Sequence, residues 1–160
     1  MKNKWYILVL GTLLLSTITG CKKDSEKEPD TFIGNVSKPV WMAPADYDYS
    51  SSMTAVVKVD IAAQYPDKAS DFVLKDGDLL AAFSGGTCLG VASPQTGVFY
   101  LYVADPASLS LKEGAVKVSL RYYSAHYKNL FVAKDAFVFK NDDHLGSVAD
   151  PFIPKFVVEK

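Results

Sequence analysis

Between residues 53 and 61 the apolar side chains Met53, Ala55, Val57, Val59 and Ile61 recur at every second position, with Thr54, Lys58 and Asp60 between them. A period of two sends alternate side chains to opposite faces of an extended chain, so the segment predicts a half-buried strand. The pattern returns at 115–123, where Val116, Val118, Leu120 and Tyr122 share a face. Residues 78–83 and 87–92 flank Ser84-Gly85-Gly86, the turn chemistry of a hairpin. In residues 97–104 both faces are apolar or aromatic: Val98, Tyr100 and Tyr102 oppose Phe99, Leu101 and Val103. That predicts a central strand, or one whose second face is covered. Shorter candidates lie at 129–133, 136–140 and 155–159.

Turn signals separate these runs, at Asp76-Gly77-Asp78, Pro94, Asp105-Pro106, Glu113-Gly114, Asn141-Asp142-Asp143 and Asp150-Pro151. Helix candidates are confined to 66–72 and 106–111 and are too short to be a scaffold. The expected fold class is all-β, an antiparallel β-sandwich of about 7–9 strands. The chain has 160 residues, 49% of them hydrophobic, enough for one domain with a core. A net charge of −1, with 17 Lys+Arg against 18 Asp+Glu, gives no footprint for nucleic-acid binding.

The amino terminus reads as an address. Lys2 and Lys4 precede an apolar run at residues 5–15, and small residues then lead to Cys21. This succession is that of a secretory signal, and the run is shorter than the roughly 20 residues of a membrane span. Ile18-Thr19-Gly20-Cys21 resembles a bacterial lipobox. The resemblance implies cleavage before Cys21 and acylation of that residue, and several acyl chains on one residue hold a protein at a membrane. Lys22, in place of an aspartate, implies the outer membrane, with the cell surface and the periplasmic face both open. Residues 22–38 are charged and turn-rich, which predicts a flexible tether. The expected organisation is a signal peptide at 1–20, lipidated cysteine and tether at 21–38, and a β-sandwich domain at 39–160.

Residues 76 to about 153 contain GDLLAAFSGGTCLGVASP, VFYLYV, VSLRYYSA and LGSVADPF. They resemble a module of surface and secreted proteins of Gram-negative anaerobes. The resemblance implies an immunoglobulin-like sandwich and carries no catalytic residues.

Nothing in the chain nominates a catalytic centre. The two histidines, His126 and His144, form no close zinc-binding pair, and no nucleophile-elbow motif occurs. Strand alternation predicts that Cys88 is a buried structural thiol; with Cys21 acylated it would have no intrachain partner. Asp46-Tyr47-Asp48, Asp76 with Asp78, and Asp142 with Asp143 could offer oxygens to Ca²⁺, but none follows an EF-hand spacing. Turn chemistry is the preferred reading of these acidic segments. A Ca²⁺ site, if formed, is expected where loops 76–78 and 141–143 meet. No other cofactor is expected.

Trp41, Tyr49, Tyr123, His126 and Tyr127 are the candidate ligand-binding residues, with Tyr123 expected to face outward if Tyr122 faces inward. Rigid rings with a wet polar edge suit glycan or peptide contacts. The expected function is a non-catalytic binding or adhesion module anchored in the membrane by its lipid, with a glycan or an envelope protein as ligand. Two alternatives stand beside it: a structural subunit pairing through an edge strand at 155–159, and a hydrolase using His126 or His144 with a nearby aspartate.

Overall fold

The computed structural model describes residues 32–45, 51–104 and 116–159. The expected signal peptide, Cys21, the segment Asp46-Tyr47-Asp48, Tyr49 and the helix candidate at 106–111 lie outside the described residues.

The described chain is all-β and sandwich-like. Its strands are β1 (Ser52–Val57), β2 (Leu79–Ser84), β3 (Thr87–Ala92), β4 (Pro94–Gln95), β5 (Val98–Ala104), β6 (Lys117–Ser124), β7 (Asn129–Ala133), β8 (Phe137–Val138), β9 (His144–Leu145) and β10 (Phe156–Val158). One sheet has the order β4-β5-β1-β9 and the other β10-β7-β6-β2-β3, with β8 added on β6. Pairing is antiparallel except between β1 and β9, which run parallel.

Alternation builds the core as the sequence predicts. Met53, Ala55 and Val57 of β1 and Phe99, Leu101 and Val103 of β5 point inward from the first sheet. Leu80 and Ala82 of β2, Val118, Leu120 and Tyr122 of β6, and Phe131 of β7 meet them from the second. Tyr122 sits among Phe72, Phe99, Phe131 and Phe156, with ring centroids 5.8–6.3 Å away. Each such side chain contributes about 1.5–3 kcal/mol by leaving water.

The expected strand at 53–61 is cut short. After Val57 the chain turns into α1 (Ile61–Gln64), which Asp60 caps by accepting the Ala63 N–H at 3.1 Å. Ile61 stays buried, so the alternating apolar residues continue into a helix that closes one end of the core. No helix forms at 66–72, where the backbone makes successive turns. The hairpin at Ser84 is present, with Gly85 at φ +57°.

A β-bulge shifts the β2/β3 register: Ala82 faces Gly90 and Phe83 faces Cys88, so Leu89 has no opposite residue. That shift leaves Cys88 half-buried, against its expected burial. Burial still pushes the thiol above its ordinary value, which disfavours the thiolate. The bulge also brings β3 against β5: a Cβ on Gly90 would lie 1.8 Å from the Tyr102 carbonyl oxygen.

The tether predicted at 21–38 does not extend to Lys38. Phe32 is buried between Tyr65, Tyr127 and Phe131, at 4.9–5.5 Å between ring centroids. Gly34 N–H donates to the Tyr127 carbonyl at 2.9 Å and Val36 N–H to that of Lys128 at 2.8 Å. Trp41 then packs edge-on against Phe83 at 5.8 Å. Phe32 thus joins the core, while Val36 and Trp41 lie over the outer face of β2 and β6, where Leu79, Ala81, Phe83 and Tyr123 are buried. Phe32 therefore belongs to the domain, seven positions before the boundary that composition suggests at Pro39.

Candidate functional site

The two sheets differ in what lies over their outer faces. On the four-stranded sheet, Tyr100 is 37% and Tyr102 62% exposed. Register places Tyr102 directly opposite Thr54, and Thr54 directly opposite His144, so the three side chains form a row across β5, β1 and β9. Tyr100 faces Val56 in the neighbouring row. Together these residues line a groove of about 300 Å³.

His144 reaches this row because the chain around β9 runs along the free edge of β1. The Asn141 side chain accepts from Ser52 N–H, Asp142 N–H donates to Ser52 O, and Thr54 N–H donates to Asp143 O. Farther on, Phe152 N–H donates to Val56 O and Lys58 N–H to Phe152 O, both at 2.9 Å. Gly146 makes the connection close, since at φ +72° a Cβ there would meet Phe152 N at 2.6 Å and Val56 O at 2.8 Å. The ring nitrogen Nδ1 of His144 is hydrogen-bonded to Thr54 Oγ1.

A second hollow of about 150 Å³ shares Thr54 and His144 with the first and is lined also by Ser52, Asp142 and Asp143. Asp143 is committed within the fold, accepting from His144 N–H at 2.9 Å and pairing with Lys140 at 3.7 Å. Asp142 accepts from the Asn141 side chain through Oδ2 alone.

The residues singled out in the sequence are not gathered here. Tyr123 was expected to face solvent; it is 6% exposed, and its hydroxyl donates to Val36 O at 3.4 Å beneath the amino-terminal segment. Tyr127 is buried against Phe72 and Phe32, and its hydroxyl donates to Asp71 Oδ1 at 3.0 Å. His126 lies 3.1 Å from the other oxygen of the same carboxylate. These contacts, that of His126 first, hold Asp71 below the ordinary carboxylate range. Burial and the Asp71 bond push Tyr127 up to about 12. Trp41 is half-buried on the sheet opposite the groove.

The acidic loops are likewise apart. Asp78 has no exposure and accepts from Lys75 N–H, Tyr122 hydroxyl and Ala125 N–H at 2.8–3.0 Å. It is a structural carboxylate for the β2 end of the second sheet. Asp76 beside it is exposed, whereas Asp142 and Asp143 flank β1 in the first sheet. Among the described residues no group of three His, Cys, Asp or Glu side chains that could hold a metal ion is found.

Tyr100 and Tyr102 were missed as site residues because β5 reads as apolar on both faces. The signal available was chemical: the face opposite Phe99, Leu101 and Val103 carries hydroxyl-bearing rings, which pack one side and wet the other. No family model matches the chain, and no curated protein or solved structure matches it significantly.

Proposed function

We propose that the protein is a lipid-anchored binding module of the cell envelope, acting through the open face of its four-stranded sheet. The observation that supports this is the contrast between the faces. Val36 and Trp41 lie over one, while the other keeps Tyr100 and Tyr102 exposed beside Thr54 and His144. Exposed rings on a rigid sheet present binding area at low entropic cost. The lipobox-like Ile18-Thr19-Gly20-Cys21 supports attachment at the outer membrane.

Two measurements test this reading. Cys21→Ala is expected to move the protein from the membrane fraction to the soluble one and to abolish incorporation of labelled fatty acid. The full-length lipoprotein in vesicles is expected to bind isolated envelope polysaccharide or envelope protein saturably, and Thr54→Arg, which fills the groove, to abolish that binding. Soluble wild-type protein, or binding indifferent to Thr54→Arg, overturns it.

The hydrolase alternative gains one observation, the Thr54–His144 contact, which has the form of a hydroxyl beside a base. Among the described residues no carboxylate orients the other ring nitrogen, so binding is the reading the geometry favours. The edge-pairing alternative at 155–159 is less favoured, because the outward groups of Pro154 and Phe156 are already bonded within the chain. Gln64 bonds Pro154 O and Phe156 N–H, and Tyr65 hydroxyl bonds Phe156 O, at 2.7–2.9 Å.

A further inference from the structure

We infer that the ligand of the open face is a neutral glycan chain, its sugar rings lying on Tyr102 and Tyr100 and its hydroxyls turned toward Asp142 and His144. This rests on the reading of that face as the binding surface and adds the class of ligand. Three features of the two adjoining hollows carry it.

The first is size. A stable protein interface needs about 800 Å² and some 20–30 residues on each side. The opening here is a groove of about 300 Å³ walled by seven residues, at the lower end of the range for small-ligand sites. It suits one or two sugar rings better than a folded partner.

The second is the division of labour. A pyranose has an apolar C–H face and a rim of hydroxyls, so it needs a ring to lie on and polar atoms at the ring's edge. Tyr100 and Tyr102 supply the platform, exposed on one strand at alternate positions. The second hollow, sharing Thr54 and His144, supplies the polar edge. There, Asp142 Oδ1 and His144 Nε2 carry no hydrogen bond to the protein among the described residues, nor do the hydroxyls of Tyr100 and Tyr102. Asp142 is held in place by its backbone, at φ +57° with its N–H bound to Ser52 O.

The third is charge. Neither hollow is lined by Lys or Arg; in the second, Asp143 is paired with Lys140, while Asp142 has no ion pair among the described residues. A carboxylate accepts from sugar hydroxyls with charge-assisted bonds. It repels uronates, sulfates and phosphates, so the ligand is uncharged.

The test uses the full-length lipoprotein in detergent, titrated with cello-, malto-, xylo- and mannohexaose and, for comparison, with hexagalacturonate. Binding is followed by calorimetry and by NMR shifts of the tyrosine and histidine rings. A neutral hexaose is expected to bind and to shift Tyr100, Tyr102 and His144. Tyr102→Ala is expected to weaken it about tenfold, Tyr102→Phe to retain most of the affinity, and Asp142→Asn to weaken it severalfold. Because Tyr102 and Asp142 side chains are not in the core, melting temperatures near wild type will show that these variants fold. Preference for hexagalacturonate, or shifts confined to residues away from this face, overturns the inference. If no neutral hexaose binds while Thr54→Arg still abolishes envelope binding, the glycan is wrong and the face is right; if neither effect is seen, both readings fall.

Discussion

The hydroxyl of Tyr122 donates to Oδ2 of Asp78 at 2.8 Å, and neither residue has any exposure to solvent. Burial first, and then the charge of Asp78, push the tyrosine well above its ordinary range, so it stays a donor. Asp78 also accepts two backbone N–H groups, which ties the turn before β2 to the turn after β6. Asp78→Ala strands three donors, each costing about 1–3 kcal/mol if left unmet. The expected loss is at least ~3 kcal/mol, against about 1 kcal/mol for Tyr122→Phe. Urea unfolding should show the midpoint falling in that order.

The start of the domain is open to a direct comparison. A chain beginning at Pro39 lacks Phe32, which fills the space between Tyr65, Tyr127 and Phe131. Emptying a buried phenylalanine site costs about 3–5 kcal/mol. That chain is expected to unfold at correspondingly lower denaturant than one beginning at Thr31, and Phe32→Ala to reproduce most of the difference. Equal stability of the two would place Phe32 outside the core.

Gly90 couples stability to the groove. A methyl group there would stand 1.8 Å from the Tyr102 carbonyl, a backbone atom that cannot swing aside. Gly90→Ala is expected to cost about 1–3 kcal/mol or more by overpacking. Because β5 must move away, the Tyr102 ring signals should shift as well; Gly85→Ala, with open space around it, should leave them unchanged.

Stability at the pH extremes depends on the Asp71–Tyr127 pair. Tyr127 has a folded value near 12 against an ordinary 10.0, so its contribution is complete below pH 10 and disappears as pH rises through 12. Tyr127→Phe should remove one proton's worth of slope from the alkaline limb of a melting-temperature profile. The Asp71 carboxyl is depressed below 3.8, so its contribution is present above that value and is lost as pH falls through the lower folded value. Asp71→Asn should flatten the acid limb.

The partly covered β10 edge predicts a change in association. Gln64 and Tyr65 occupy the outward groups of Pro154 and Phe156. Unpaired strand edges invite pairing with other chains. The double variant Gln64→Ala, Tyr65→Phe is expected to self-associate with rising concentration in analytical ultracentrifugation, whereas the wild type does not do so through this edge.

Local pattern and final position diverge at identifiable residues. Alternation assigns Met53, Ala55 and Val57 to the core and Thr54 to the other face correctly, because a strand's period holds wherever the strand sits. It fails at Cys88, where the bulge at Leu89 resets the alternation, and at Ile61, where a helix takes over an apolar repeat. Tyr123 and Tyr102 are both outward-facing tyrosines on central strands, yet one is buried and the other open. No neighbouring residue distinguishes them.

The sequence by itself determined the strand period, the Ser84-Gly85-Gly86 hairpin and the all-β class, all written in residues a few positions apart. Tertiary structure alone decided that Phe32 would enter the core with Val36 and Trp41 over one sheet face, and that His144 would stand beside Thr54, 90 positions away. The physical reason is range. Alternation is fixed by the sterics of adjacent residues, whereas what lies over a strand's second face depends on which distant segment gains most by leaving water there.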